Sequence, residues 1–326
     1  MGGICIPNIK EVAQKAGLSV SCVSKYLNYP DHVLPETKEK IESAIAELNY
    51  TPSIIARSLR TKKTGIIVVV MESVINPFFG DLYDALRRNL EQYGYKAMLH
   101  TISNTDFSPN DFSFADGIVI CFPDNDGIVS DIMAVAANIP KIVMHGHRIE
   151  LDIPIVLVDV GLGIRLAAEH LYKQGCRHFL AVGGAKESSM SIEKTASLES
   201  YLNEKGTEVV FHVLHEENHY FGGIAAADQL VSQYKDIDAI LCESDALATG
   251  VISRLLTLGY HIPEDIRVIG YDNIALAQMY RPAVTTIDIP IDKMSMAGAH
   301  MISDLIDGKT VGELSFYPVL VVRETG

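Results

Sequence analysis

Cysteine is scarce and scattered in this sequence. The five residues Cys5, Cys22, Cys121, Cys176 and Cys242 lie far apart among 326 positions, are odd in number and form no C-x-x-C pair. That argues against a disulfide framework and a zinc module and fits a reducing cytoplasm, with buried or idle thiols as the simplest reading. Long apolar runs are missing as well. None approaches the roughly 18–20 residues of a membrane span, and "MGGICIPNIKE" has neither the basic nor the apolar stretch of a secretion signal. A cytoplasmic protein with no membrane partner is expected. Catalytic signatures are lacking too: there is no G-x-S-x-G, no H-E-x-x-H and no phosphate-cradling P-loop. No enzyme, no cofactor and no metal are expected.

What is present is ordinary globular material, 48% hydrophobic and 21% charged, in a chain long enough for two or three compact units. The net charge of −14 seems to exclude nucleic acid until it is divided along the chain. Residues 1–63 carry nine Lys/Arg against six Asp/Glu, a net of +3; the rest carries 18 against 35, a net of −17. Four of the nine fall in one short stretch, Arg57, Arg60, Lys62 and Lys63.

"NIKEVAQKAGLSVSCVSKYLN" reads as two short helices around a tight turn. Ile9, Val12, Ala13 and Ala16 recur at helical spacing, Gly17 supplies a left-handed stop, and Ser19 stands where the next helix needs its cap. In the second helix Val23 and Leu27 point inward, which leaves Val20, Ser21, Cys22 and Lys25 outward near its start. A third helix follows Pro35, with Ile41, Ile45 and Leu48 as its apolar stripe. A generic three-helix bundle would satisfy this pattern. The small or basic outward side chains favour a helix-turn-helix that presents its second helix to a major groove. The next segment, "TPSIIARSLRTKKTG", is either a solvated basic linker or a short helix that orders on DNA. In the second case Arg57, Arg60, Lys62 and Lys63 would neutralise phosphates and Leu59 would wedge into the minor groove.

From Thr64 onward apolar runs alternate with helical patterns: "GIIVVVM", "KAMLHTI", "DGIVICF" and "KIVMHG", then "IVLVDV", "RHFLAVGG", "EVVFHVL", "AILCES" and "IRVIGYD". The alternation predicts parallel sheets flanked by helices, roughly ten strands in two lobes, with ligand between the lobes beyond the strand ends. In the second series Gly161, Gly163 and Ala167 imitate a dinucleotide fingerprint. The following strand ends in Gly183-Gly184 without the acidic residue that ribose hydroxyls require, so these glycines are read as a lobe boundary.

"IKEVAQKAGLSVSCVSKYLN", "RSLRTKKTG", "VIGYDN" and "RPAVTTIDIP" together resemble the LacI/GalR family of bacterial transcription regulators, in order and over essentially the whole chain. The resemblance implies an α plus α/β protein. Residues 1–50 would form a helix-turn-helix headpiece and 51–63 a hinge helix. A two-lobed, periplasmic-binding-protein-like core would span 64–326, with lobe 1 near 64–157 and 288–315 and lobe 2 near 158–287 and 316–326. It implies a repressor that binds pseudo-palindromic double-stranded operator DNA as a homodimer, with a small-molecule effector, a sugar or sugar derivative, between the lobes. The family's base-contacting positions fall on Val20, Ser21 and Lys25 and its minor-groove leucine on Leu59, to which the reading of the basic segment adds Arg57 and Arg60 as phosphate contacts. Its effector positions fall on Phe78, Phe79, His145, Lys194, Ser244, Asp245 and Asp272. The rival reading is an effector-binding protein of the same fold with little specific DNA affinity.

Several positions keep two readings. Phe78 and Phe79 stack on a ligand or pack beneath their helix; His145, in "MHGH" with His147, contacts ligand or ends a strand. Asp245 contacts ligand or caps the helix that follows. His212, His215 and His219 could ligate a metal at helical spacing, but "VVFHVLHEENH" starts as a strand, which would scatter them. Two departures stand out. Lys25-Tyr26 replaces the family's frequent Arg-Val, and Lys194 stands where an arginine is common, so a flexible ammonium replaces a planar fork. The connection 103–116 is short enough to omit a full helix, which would uncover one face of the first lobe.

Overall fold

In a computed structural model the protein is described over residues 7–50, 63–102, 107–123, 125–146, 149–206, 208–234 and 236–326. It divides into two compact units, Met1–Gly65 and Ile66–Gly326. Arg57, Leu59, Arg60, Lys62 and His147 lie outside the described residues. Among those described, no helix is long and apolar enough to cross a membrane.

Among its described residues the small unit has three α-helices, α1 (Ile9–Ala16), α2 (Val20–Asn28) and α3 (Pro35–Leu48). Asn8 caps α1 in a reciprocal box with Glu11, and Gly17 ends it in the left-handed conformation at φ 66°. The Ser19 hydroxyl then starts α2 by accepting from the Cys22 amide at 3.2 Å. Val12, Ala13, Val23, Ile41 and Ala44 form the core, and Lys15–Glu47 at 2.7 Å ties α1 to α3. Tyr26, one of the two departures in this helix, has a structural partner: its hydroxyl donates to Glu42 on α3 at 2.7 Å. Alanine at Ser19 should lower headpiece stability by about 1 kcal/mol, read as faster amide exchange at Cys22 and Val23. Unchanged exchange there would show that the cap contributes nothing.

The large unit holds two six-stranded sheets. The first is built from β1 (Ile66–Met71), β2 (Lys96–Thr101), β3 (Gly117–Cys121), β4 (Lys141–His145), β5 (Ile155–Val158) and β11 (Leu314–Phe316), in the order β11-β5-β4-β3-β1-β2, all parallel. The second contains β6 (His178–Gly183), β7 (Val210–His215), β8 (Ala239–Cys242), β9 (Arg267–Asp272), β10 (Thr285–Asp288) and β12 (Val319–Val321), in the order β12-β10-β9-β8-β6-β7, with only β12 antiparallel. Central strands such as β1 and β3 are continuous apolar runs because both their faces are covered. Among the described residues the count is therefore twelve, three more than the nine apolar runs. β10, β11 and β12 have three or four residues each, too few to show a period.

The chain passes between lobes three times: after β5, after β10, and between β11 and β12. The first passage is the glycine turn. Asp159 caps the helix Val160–Lys173 through the Leu162 amide at 2.8 Å. A Cβ on Gly163 would stand 2.7 Å from the Tyr271 hydroxyl and 2.9 Å from Ile287, so this glycine lets the helix press onto β9 and β10. The glycine pair serves packing.

The expectation for the 103–116 connection is corrected. A single helical turn, Pro109–Phe112, is present, and the lobe face is not bare. Phe112 is fully buried, with Phe107 and Phe114 packed beside it over Val68, Val70, Ile118 and Ile120.

Candidate functional site

A cavity of about 790 Å³ opens between the two lobes of the large unit. Its walls are the carboxyl ends of parallel strands. Glu72 follows β1, Phe122 follows β3, Gly184 follows β6, Glu216 follows β7, Glu243 follows β8, and Asp272 ends β9. Both sheets present the same end to the same space, which is where an open α/β sheet exposes loops and unpaired backbone groups.

The aromatic wall comes from the first lobe. Asn76 caps the helix Pro77–Gln92 by accepting from the Phe78 amide at 3.1 Å, and so fixes the Phe78-Phe79 pair at the cavity edge. Phe78 meets Phe79 and Phe122 edge to face, at 5.3 and 5.4 Å between centroids. Phe122 holds φ 45° and Asp272 φ 107°, so two strand ends adopt left-handed backbone where they meet the cavity. Strain of this kind concentrates where a side chain must be aimed.

The polar wall comes from the second lobe. Lys194, on the helix Ser189–Asn203, is 8% exposed. Its ammonium donates to the Glu243 carbonyl at 2.8 Å and sits 3.9 Å from the centre of the Tyr271 ring. Asp272, 6% exposed, is pushed well above the ordinary carboxylate range by burial, with Asp245 and Glu243 adding to the rise. The Lys194 charge and a hydrogen bond from Asn76 pull the other way. Asn76 belongs to the first lobe and Asp272 to the second, so the polar influence of Asn76 on this carboxyl acts across the cavity.

Of the seven sequence-predicted effector residues, Phe78, Phe79, Lys194 and Asp272 line the cavity. Three do not. His145 is fully buried at the end of β4, edge-on to Phe122 at 6.2 Å, behind the aromatic wall. Ser244, not Asp245, caps the helix Asp245–Thr257, accepting from Leu247 at 3.2 Å. The Ser244 hydroxyl donates to Asn218 at 2.5 Å, and Asn218 does line the cavity. Asp245 is the first residue of that helix and fully buried beneath the floor. Its carboxylate accepts from the Ile274 amide at 2.9 Å and the Thr286 hydroxyl at 2.6 Å, which fastens the loop after β9 to β10.

Burial raises the Asp245 carboxyl from 3.8 to about 7. Its contribution to stability is therefore fully present below pH 3.8 and lost as pH rises through 7. Asparagine can keep both contacts, its amide oxygen accepting from the Ile274 amide and its amide nitrogen donating to the Thr286 hydroxyl oxygen. The wild type should thus lose more stability between pH 5 and pH 8 than Asp245→Asn does, measured as urea midpoints at each pH. Parallel profiles would refute the assignment.

The histidine trio is dispersed. His212 lies on β7 against Tyr234 at 4.6 Å, and His215 ends that strand, its Nδ1–H donating to the Gly184 carbonyl at 3.1 Å. His219 caps the helix Tyr220–Gln233 and bonds Glu217 at 2.6 Å. Among the described residues no cluster of His, Cys, Asp or Glu is placed to hold a metal. His215, Asn218 and His219 line the cavity with Glu72, Asn76, Phe122, Glu216, Glu217 and Glu243, and none of these was assigned to the effector from the sequence. The signal was available: most of them sit at, or within a few residues after, the carboxyl end of a parallel strand.

On the small unit, Val20, Ser21 and Lys25 are exposed along α2, while Val23 is fully buried beneath them. Ser21 also bonds the Ser19 cap hydroxyl at 2.8 Å. This helix presents one small, one hydroxylic and one basic side chain on its free side.

Comparison with known proteins places both units. Residues 8–53 match the profile of bacterial regulatory proteins, lacI family, and residues 168–325 match a periplasmic binding protein-like domain. The HTH-type transcriptional repressor PurR of Vibrio vulnificus (strain CMCP6) is 30% identical over 326 residues, spanning 97% of this chain and 98% of that one. The ribose operon repressor of Lactococcus lactis subsp. lactis (strain IL1403) is 31% identical over 334 residues, spanning 97% of each. Among solved structures, the lac repressor dimer bound to operator and the anti-inducer ONPF gives a TM-score of 0.88 at 24% identity, covering 98% of this chain and 99% of that one. A LacI family regulator from Enterococcus faecium with bound ribose gives 0.72 at 22% identity, covering 80% and 98%.

Proposed function

The chain belongs to the lacI family of bacterial regulatory proteins and is a DNA-binding transcriptional repressor, not an enzyme; from that premise we propose that its inter-lobe cavity takes a carbohydrate effector that sets operator affinity. One observation carries the reading: the carboxyl ends of the parallel strands of two sheets converge on a single cavity, with aromatic side chains and Glu72 on the first-lobe wall and Glu216, Glu217, Glu243 and Asp272 on the second-lobe wall. Aromatic faces stack on the C–H face of a sugar ring, and acceptor-only carboxylates suit hydroxyl donors. A relative is named for a ribose operon and a structural neighbour holds ribose.

The DNA side of the proposal rests on Val20, Ser21 and Lys25 reaching base edges in the major groove. Lys25 makes one contact to a guanine where an arginine would make two. Arg57 and Arg60 neutralise phosphates and Leu59 enters the minor groove at the operator centre. A single helix-turn-helix reads a half-site, so the chain acts as a homodimer on a pseudo-palindrome. The effector acts through its different affinity for the DNA-competent and DNA-incompetent arrangements.

Selection from a random double-stranded DNA pool tests this, run with and without pooled carbohydrates. A pseudo-palindrome with a kinkable central step is expected, its enrichment changed by the pool. Failure to enrich any sequence in either arm would leave an effector-binding protein without specific DNA affinity.

A further inference from the structure

The second helix of the small unit is tied near both ends. At its start the Ser19 hydroxyl accepts from the Cys22 amide at 3.2 Å. In its last turn Tyr26, half-buried at the edge of the headpiece core, donates its hydroxyl to Glu42 on α3 at 2.7 Å. That bond, helped by partial burial, raises the Tyr26 hydroxyl to about 12, so it remains a donor at neutral pH. Lys38, one turn earlier on α3, lies 3.9 Å from the same carboxylate and steadies it from its own helix. Between the two ties α2 rests on the fully buried Val23, with Leu27 beside it. Apolar contact is non-directional: it resists separation of the helices but opposes rolling only weakly.

The roll of α2 decides where its outward side chains point. Neighbouring residues on an α-helix stand about 100° apart, and side chains reach about 6 Å from the axis. A roll of about 20° carries a group at that radius by about 2 Å. A hydrogen bond to a base edge tolerates about 0.5 Å, so a small roll is enough to lose it. We propose that Tyr26 is a positioning residue for sequence discrimination: by bonding Glu42 it fixes the roll of α2 and so aims Ser21 and Lys25 at base edges. This rests on the base contacts proposed above for those two residues and adds to them a residue that acts through its neighbours.

Three substitutions in the full-length protein test it. Tyr26→Phe keeps the ring at the core edge and removes the bond, Glu42→Ala removes the acceptor, and Lys25→Ala removes a proposed base contact. Fluorescence anisotropy at fixed salt compares three kinds of duplex: the operator recovered by selection, that operator with each half-site base pair replaced in turn, and a scrambled sequence. Tyr26→Phe should weaken operator binding about tenfold, the scale of a hydrogen bond to a charged group. Scrambled binding, carried by phosphate contacts, should change by less than about twofold. Discrimination should flatten at the base pair that Lys25→Ala also flattens. Glu42→Ala should match Tyr26→Phe, and the double variant should lose no more than either alone. A bond that only stabilises the fold would lower affinity for every duplex together and leave the base-pair profile intact, and that result overturns the inference. Undiminished discrimination in Tyr26→Phe, or losses that add in the double variant, overturn it too. If Lys25→Ala flattens a position that Tyr26→Phe leaves sharp, the base contact stands and only the positioning role falls. If Lys25→Ala flattens none, or the wild type separates no sequence from the scrambled one, the base-contact reading falls and the inference with it.

Discussion

Alanine at Leu59 is expected to lower affinity for the selected operator by about a thousandfold, to near the level of non-specific DNA, because specific binding exceeds non-specific binding by about that factor or more. The substitution leaves Arg57, Arg60, Lys62 and Lys63 untouched, so the electrostatic component and its salt dependence persist. Alanine is also the best helix former, so the loss cannot be assigned to poorer helix propensity. On the proposed role of Leu59, what disappears is the apolar wedge that offsets the unstacking of the central base step. Fluorescence anisotropy at fixed salt, on operator and scrambled duplexes side by side, reads the difference. A loss of equal size on both duplexes, or none on either, would sink the wedge. Arg60→Ala supplies the contrast: it should weaken both duplexes alike and reduce the salt slope by about one phosphate's worth.

The headpiece was legible because short-range chemistry determines it. Gly17 and Ser19 sit one residue apart, the apolar residues keep helical spacing, and the observed helices begin and end where those signals stand. The large strands were legible for the same reason, since a strand buried on both faces is a continuous apolar run. β11 and β12 were not, because three residues become a strand only by pairing with partners more than 30 positions away. The effector wall shows the same division. Asp272 and Lys194 were recognisable by resemblance, and the structure brings both to the cavity. Ser244 and Asp245 are adjacent in sequence to the lining residue Glu243, yet the cap at Ser244 turns both away from the cavity. Direction at a strand end depends on one backbone step, which residue identity does not encode. The family motif located the loop but not the side chain that faces the ligand.

The same geometry separates holding from touching. Ser244 fixes Asn218, Asp245 fastens the loop after β9, and Asn76 reaches from one lobe to a carboxylate on the other. The helices that follow Asn218 and Ser244, Tyr220–Gln233 and Asp245–Thr257, also approach closely: a Cβ on Gly250 would stand 2.0 Å from the Tyr220 carbonyl oxygen, and one on Gly223 2.1 Å from that of Leu247. Elements packed this closely have little freedom to absorb a displacement.

Lys194→Met should be the most damaging single change in the large unit that leaves its shape intact. Methionine keeps most of the apolar stem but ends one atom short, so it removes the ammonium over the Tyr271 ring, its bond to the Glu243 carbonyl and the positive charge that favours ionised Asp272. Breaking one half of a buried pair costs about 3–5 kcal/mol when the remaining group stays ionised. Asp272 can escape that cost by taking a proton, and its carboxyl is already raised by burial, by Asp245 and by Glu243. A carboxyl whose folded value is raised contributes stability that is complete below its unfolded value and lost as pH rises. Removing Lys194 raises Asp272 further and steepens that loss. The gap between wild type and Lys194→Met should thus be small near pH 5, where the proton compensates, and widen toward about 3–5 kcal/mol at pH 8. Urea denaturation of both proteins at the two pH values measures it. A gap that stays constant would mean that Lys194 stabilises only through its bond to the Glu243 carbonyl, and that Asp272 does not depend on its charge.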